Sequence, residues 1–226
     1  MCWHVIASVL VMVTQTAGYG PEAPVSTIET DGVAVVDAVP TYVEFWLQAR
    51  CQGNTIAEAT EAALRFEPAV RKVLKDAELN TTALSFTGVA VPNVQRKEAH
   101  ISARVRLSAS TYMSAEEGPR LFALLCDKMT GLAGALSCTI EGPELGVDDK
   151  ESIEAAAIGR ATEKAYVPAK AAAQVMNGQI VAVDTVSVYS LVWNKAPDVL
   201  ATQPDLKKLT CTATVKVTYA FSSVGP

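Results

Sequence analysis

The sequence predicts an α+β fold: a mostly antiparallel sheet with three principal helices packed mainly on one face, the third helix long and alanine-rich. Three observations carry this. Residues 42–51 and 209–221 alternate strictly between apolar and polar side chains. Three other stretches carry helical periodicity or capping signals. The elements follow one another as β-β-α-β-β-α-β-α-β-β, so that strands often meet a neighbouring strand directly.

Strand patterns begin after Gly32. In residues 42–51, Val43, Phe45, Leu47, Ala49 and Cys51 share one face, and Tyr42, Glu44, Trp46, Gln48 and Arg50 share the other. That two-residue period marks a half-buried strand. Thr55 and Glu58 have the spacing of a capping box and open the first helix. Ile56, Ala59, Ala63, Phe66, Val70, Val73 and Ala77 then recur at steps of three and four, one apolar stripe. Pro68 lies within it and cannot donate to the Leu64 carbonyl, which predicts a kink or break there. Residues 82–91 and 101–109 read as two strands joined by a turn holding Pro92 and Asn93.

Ser114 and Glu117 mark the second helix, with Pro119 in its first turns, where a missing N–H is harmless. It ends near Gly131–Gly134, and a short strand over 136–141 precedes the loop GPELGVDDK. The third helix runs from about Asp149 to Asn177, with Gly178 as its C-cap. Ala157, Ala161, Ala165, Ala169 and Ala173 form a ridge of small residues along it, suited to close approach by the sheet. Pro168 deprives Lys164 of a hydrogen bond and predicts a bend midway. Strands over 180–193 and 209–221 close the fold.

Half of the 226 residues are hydrophobic and 19% are charged, a composition that can bury a sizeable core. The net charge is −5, and the lysines and arginines are scattered. Without a basic stripe to neutralise phosphates, nucleic acid is not an expected partner. Val5–Val13 is an apolar run too short to span a bilayer, which needs about 20 residues. It fits the core of a secretory signal. The expected organisation is a leader over 1–20, a linker over 21–26, a domain over 27–221 that is single or split into two subdomains, and a tail over 222–226. Export places the protein in the periplasm or outside the cell, with no transmembrane helix.

Four cysteines follow the leader: Cys51, Cys126, Cys138 and Cys211. Cys51 and Cys211 both take core-facing positions, so a disulfide between them is conceivable if their strands are neighbours; Cys126–Cys138 is a second conceivable pair. Buried free thiols are the competing reading. His100 is the sole histidine beyond the leader, so a Ser-His-Asp or Cys-His system would rest on it entirely. Glu141, Glu144, Asp148, Asp149 and Glu151 lack the spacing of a calcium loop, and acidic residues at a helix start are expected from its dipole. No catalytic, cofactor-binding or metal-binding residue is therefore assigned. Tyr42 and Trp46 stand on the polar face of their strand, where they would serve as a subunit contact or be covered by the chain's own loop.

Three stretches resemble the SIMPL-domain family. They are the glycine, short strand, proline and alternating strand of Gly32–Leu47; the alanine helix with Lys164, Gly178 and the following VAVDTVSV; and the terminal strand TATVKVTYAF. The resemblance spans roughly Val25–Phe221. It implies an exported envelope protein, often oligomeric, with relatives linked to stress tolerance or known as surface antigens. It implies no enzyme activity and no cofactor. The expected role is self-assembly or partner binding in the cell envelope; the alternatives are a periplasmic small-ligand-binding module or hydrolase, and a cytosolic signalling adaptor.

Overall fold

The structure, a computed structural model, describes residues 26–114, 116–194 and 209–223. The expected leader and most of the expected linker lie outside them. In chain order the elements are β1 (Ser26–Ala38), β2 (Tyr42–Gln52), α1 (Ile56–Leu64), α2 (Phe66–Asp76), β3 (Thr81–Phe86), β4 (Ala90–Asn93), β5 (Glu98–Ser108), α3 (Gly118–Ala135), β6 (Thr139–Gly146), α4 (Lys150–Val175), β7 (Gly178–Asn194) and β8 (Leu209–Ser223). The α+β class is as the sequence predicts. The strands, however, form two sheets rather than one, and the described residues divide into two compact units.

The first unit holds β1, α4, β7 and β8, with the strands ordered β1-β8-β7. Alternate residues of β8, from Cys211 to Phe221, join Ile28, Ala34 and Val36 of β1 and all five ridge alanines of α4 in one buried cluster. The alanines are at most 1% exposed. Their match to β1 follows from two repeats. Four helical residues advance about 6 Å along the axis, and the ridge they form is inclined by about 26° to it, so the step along the ridge is about 6.7 Å. Two strand residues advance about the same distance. A strand lying along the ridge can therefore meet one alanine with every second residue. Two observed contacts have this spacing: the Thr30 hydroxyl donates to the Ala165 carbonyl at 2.8 Å, and Gly32 lies against the Ala161 carbonyl. A Cβ on Gly32 would fall 1.9 Å from that oxygen.

The Asp149 side chain caps α4, accepting from the Ser152 N–H at 3.2 Å, and the helix continues through Pro168. Its end differs from expectation. Asn177, with φ 52°, takes the left-handed conformation, and Gly178 already belongs to β7. Asparagine tolerates that conformation. The glycine answers a different need, since a Cβ there would sit 2.7 Å from the Ser222 carbonyl oxygen.

The second unit holds the other elements in a sheet ordered β3-β5-β2-β6, with β4 also on β5; each of these pairings is antiparallel. Val43, Phe45, Leu47 and Ala49 of β2 and Ala99, Ile101, Ala103, Val105 and Leu107 of β5 are at most 5% exposed. Helices α1, α2 and α3 pack on this unit's strands. The Thr55 cap forms as expected: its hydroxyl accepts from the Glu58 N–H at 3.1 Å, while the Glu58 carboxylate accepts from the Asn54 N–H at 2.8 Å.

The helix break falls at Arg65, not at Pro68. Pro68 becomes the third residue of α2, inside the first turn, where no intrahelical partner is required of it. The break resets the stripe, and α2 buries Phe66, Val70 and Leu74. Two strand boundaries also move. The expected strand 82–91 splits into β3 and β4, and β6 runs on through the segment read as the start of a loop, with a register shift against β2 between Glu44 and Trp46.

Candidate interaction surfaces

The outward face of β2 carries the two aromatic residues that the sequence singles out. Tyr42 and Trp46 are half-buried, and what lies over each ring is an arginine from β5. The Arg104 guanidinium carbon stands 4.2 Å from the Trp46 ring centre, and that of Arg106 3.7 Å from Tyr42. Between them sits Glu44, a buried carboxylate. It accepts from Arg106 through Nε at 3.3 Å and Nη2 at 3.2 Å, and pairs with Arg104 Nε at 3.3 Å. Charge-assisted contacts from two cations offset the cost of holding Glu44 away from water. Arg106 also pairs with Asp148 at 3.4 Å, and Asp148 accepts from the Thr41 hydroxyl at 2.8 Å. Gly146 lets the Tyr42 ring lie close over β6, since a Cβ there would fall 2.3 Å from the ring.

Register explains the ladder. Trp46 faces Arg104, and Glu44 faces Arg106, across the β2–β5 pair. Sequence reading placed Tyr42, Glu44 and Trp46 on one face but missed their partners. The signal was present: Arg104 and Arg106 alternate with the core residues of β5, on the same side as the aromatics. Beside the ladder, Trp46, Ser85, Phe86, Thr87, Ser102 and Arg104 line a recess of about 160 Å³.

A second surface was not anticipated. β7 pairs with β8 along one edge, and its other edge has no strand partner among the described residues. Val181, Val183, Val186, Val188, Tyr189, Leu191 and Val192 are 36–62% exposed. Extra residues at Val181, Asp184 and Tyr189 interrupt the pairing as bulges. On the outer face, Lys216 of β8 contacts Glu29 of β1, and its ammonium lies 5.3 Å from the Tyr189 ring centre. Those partners, the Glu29 hydrogen bond first, push the Lys216 pKa up.

Cys51 and Cys211 do not meet the condition for a disulfide. β2 and β8 belong to different sheets, and both thiols are free, as are Cys126 and Cys138. Burial pushes the pKa of all four thiols up. His100 Nε2 is shielded from solvent without a hydrogen bond, 3.7 Å from the Glu98 carboxylate. The acidic run is dispersed: Glu141 and Glu144 lie in β6, Asp148 pairs with Arg106, and Asp149 caps α4. No helix among the described residues is long and apolar enough to cross a membrane.

These features define an α+β protein of two sheet-and-helix units. The chain belongs to the SIMPL family of proteins of unknown function (DUF541), whose sequence profile matches residues 28–219. No curated protein matches it. Among solved structures, the regulatory subunit of aspartate kinase from Thermus flavus aligns over 83% of this chain and 86% of its own, at 12% identity and a TM-score of 0.24.

Proposed function

We propose that this protein is a non-enzymatic, exported protein of the cell envelope, periplasmic or secreted, that acts by self-assembly through the free edge of β7. The observation that carries the reading is the chemistry of that edge. An unpaired strand edge is a template for another strand, and folded proteins ordinarily guard it with charge, proline, brevity or bulges. β7 has 17 residues, no proline and Asp184 as its single charge; of these guards it carries the bulges at Val181, Asp184 and Tyr189, which leave residues 185–188 as an uninterrupted stretch of edge. The opposite edge strand, β1, carries Glu29, Asp31 and Asp37. A second copy of β7, antiparallel across a two-fold axis, would continue the sheet and cover the exposed valines. The apolar run Val5–Val13 supports export.

Light scattering on the purified protein tests the assembly. The wild type is expected to be a dimer or larger, and Val186→Lys with Val188→Lys to be monomeric with unchanged circular dichroism. A monomeric wild type at its highest soluble concentration would sink the reading. Fractionation with N-terminal sequencing tests export, and an unprocessed chain recovered from the cytosol counts against it.

A further inference from the structure

We infer that the recess beside Trp46 is a binding site for a carboxylate, with the Arg104 guanidinium as its anchor. This goes beyond the assembly reading and does not depend on it, since the residues involved lie on the other sheet.

Arg104 is held in place on two sides. Its Nε contacts Glu44 at 3.3 Å, and its plane lies over the Trp46 ring. Its terminal Nη1 and Nη2 groups make no hydrogen bond among the described residues, and the side chain is 43% exposed. The contacts that fix the guanidinium thus leave free the two-nitrogen edge that receives a carboxylate in bidentate fashion. Two hydroxyls flank it. Ser85 pairs with Arg104 across β3–β5, and Ser102 lies two residues along β5. Neither hydroxyl has a partner among the described residues, whereas Thr87 Oγ1 is engaged by the Ser102 N–H at 2.9 Å. Trp46 supplies apolar wall, while the Phe86 ring pairs in register with core-facing Ala103 on the other side of the sheet, under Arg71.

Charge selects the class of anion. Arg104 and Arg106 together share one buried carboxylate, Glu44, and Arg106 is further neutralised by Asp148. By this count the cluster is neutral, and Glu141 and Glu144 of β6 stand opposite Trp46 and Glu44 on the same face, so the site repels a phosphate dianion and takes a planar monoanion only through the directed Arg104 guanidinium. The recess, about 160 Å³, admits a carboxylate with a short flat or aliphatic body.

The test is a titration followed by Trp46 fluorescence and by amide chemical shifts of Ser85 and Ser102. The probes are sodium benzoate, a short peptide with a free C-terminus, its C-terminally amidated twin, and inorganic phosphate at matched ionic strength. Saturable binding of benzoate or the free-acid peptide is expected, with a dissociation constant on the order of 1 mM, and none of the amidated peptide. Binding of benzoate alone assigns the site to free small acids; binding of the peptide as well assigns it to polypeptide termini. Arg104→Gln should weaken binding by about tenfold or more, and Ser85→Ala with Ser102→Ala should weaken it less while leaving the fold intact. The proposal is overturned if no probe saturates, if phosphate binds more tightly than the carboxylates, if the amidated peptide binds equally, or if neither variant changes the affinity.

Discussion

Replacing Gly32 with alanine tests the account of how β1 seats on α4, because two effects predict opposite signs. Glycine to alanine in an extended strand ordinarily stabilises by about 0.4–1 kcal/mol, through the unfolded chain's lost freedom. Here the new Cβ would stand 1.9 Å from the Ala161 carbonyl oxygen and 2.9 Å from the Ala165 nitrogen. Both are backbone atoms of a helix, so neither can rotate away. An ordinary contact of about 3.4 Å requires β1 and α4 to separate locally by about 1.5 Å, and a gap of even 1 Å forfeits up to about half of each dispersion contact along the seam. The neighbouring Thr30–Ala165 hydrogen bond, worth about 1 kcal/mol, goes with it. Overpacking of this kind costs about 1–3 kcal/mol, so with the hydrogen bond added and the unfolded-chain effect subtracted the total is about 2 kcal/mol destabilising. For a unit of this size that lowers its melting temperature by about 8–16 °C, readable by calorimetry. Adding Ala161→Gly should not rescue the variant, because the obstructing atom is the carbonyl and not the methyl. A melting temperature equal to or above that of the wild type would refute the close-approach reasoning.

Glu44 and its arginines should behave asymmetrically in denaturant titrations. Glu44→Ala leaves two cations that can turn to water and should cost about 1–2 kcal/mol, whereas Arg104→Ala with Arg106→Ala strands a buried carboxylate and should cost about 3 kcal/mol or more. Thr55→Ala should lower stability by about 1 kcal/mol, with Thr55→Ser close to wild type. Alkaline pH should weaken the first unit. Burial, followed by Tyr166 for Tyr219 and by Glu154 for Cys211, holds both folded pKa values above their ordinary levels. The unfolded chain therefore loses these protons first, so their contribution is intact below the unfolded pKa values and is lost as pH rises through the folded ones. Melting curves from neutral pH into the tyrosine range check this, and a flat profile would contradict it.

What the sequence revealed and what it hid divide along a physical line. Strand alternation in β2, β5 and β8 was legible because one face of each is buried, and the alanine ridge was legible because small residues at a fixed step have few other uses. β7 was read as a strand, but its exposure was hidden. Its valines look like core until the sheet order shows that no strand among the described residues lies beyond β7. The split into two sheets was equally hidden, since local pattern does not say which strands pair across a hundred residues. Pro68 gave the right event at the wrong residue, because a proline is accommodated by moving the break upstream of it. At the candidate site, Tyr42 and Trp46 were visible as misplaced aromatics. The arginines above them became visible only with register.

The position of β8 has a temporal consequence. It is the last of the elements to leave the ribosome, yet it is the middle strand of β1-β8-β7. β1 and β7 cannot pair through it until it emerges, so the first unit stays incomplete until β8 has followed α4 and β7, while the elements of the second unit up to Gly146 are already available. Such late, non-local closure is slow. In the interval the aliphatic faces of β7 and the alanine ridge are without their partners, which is when this chain is most exposed to aggregation and to chaperones.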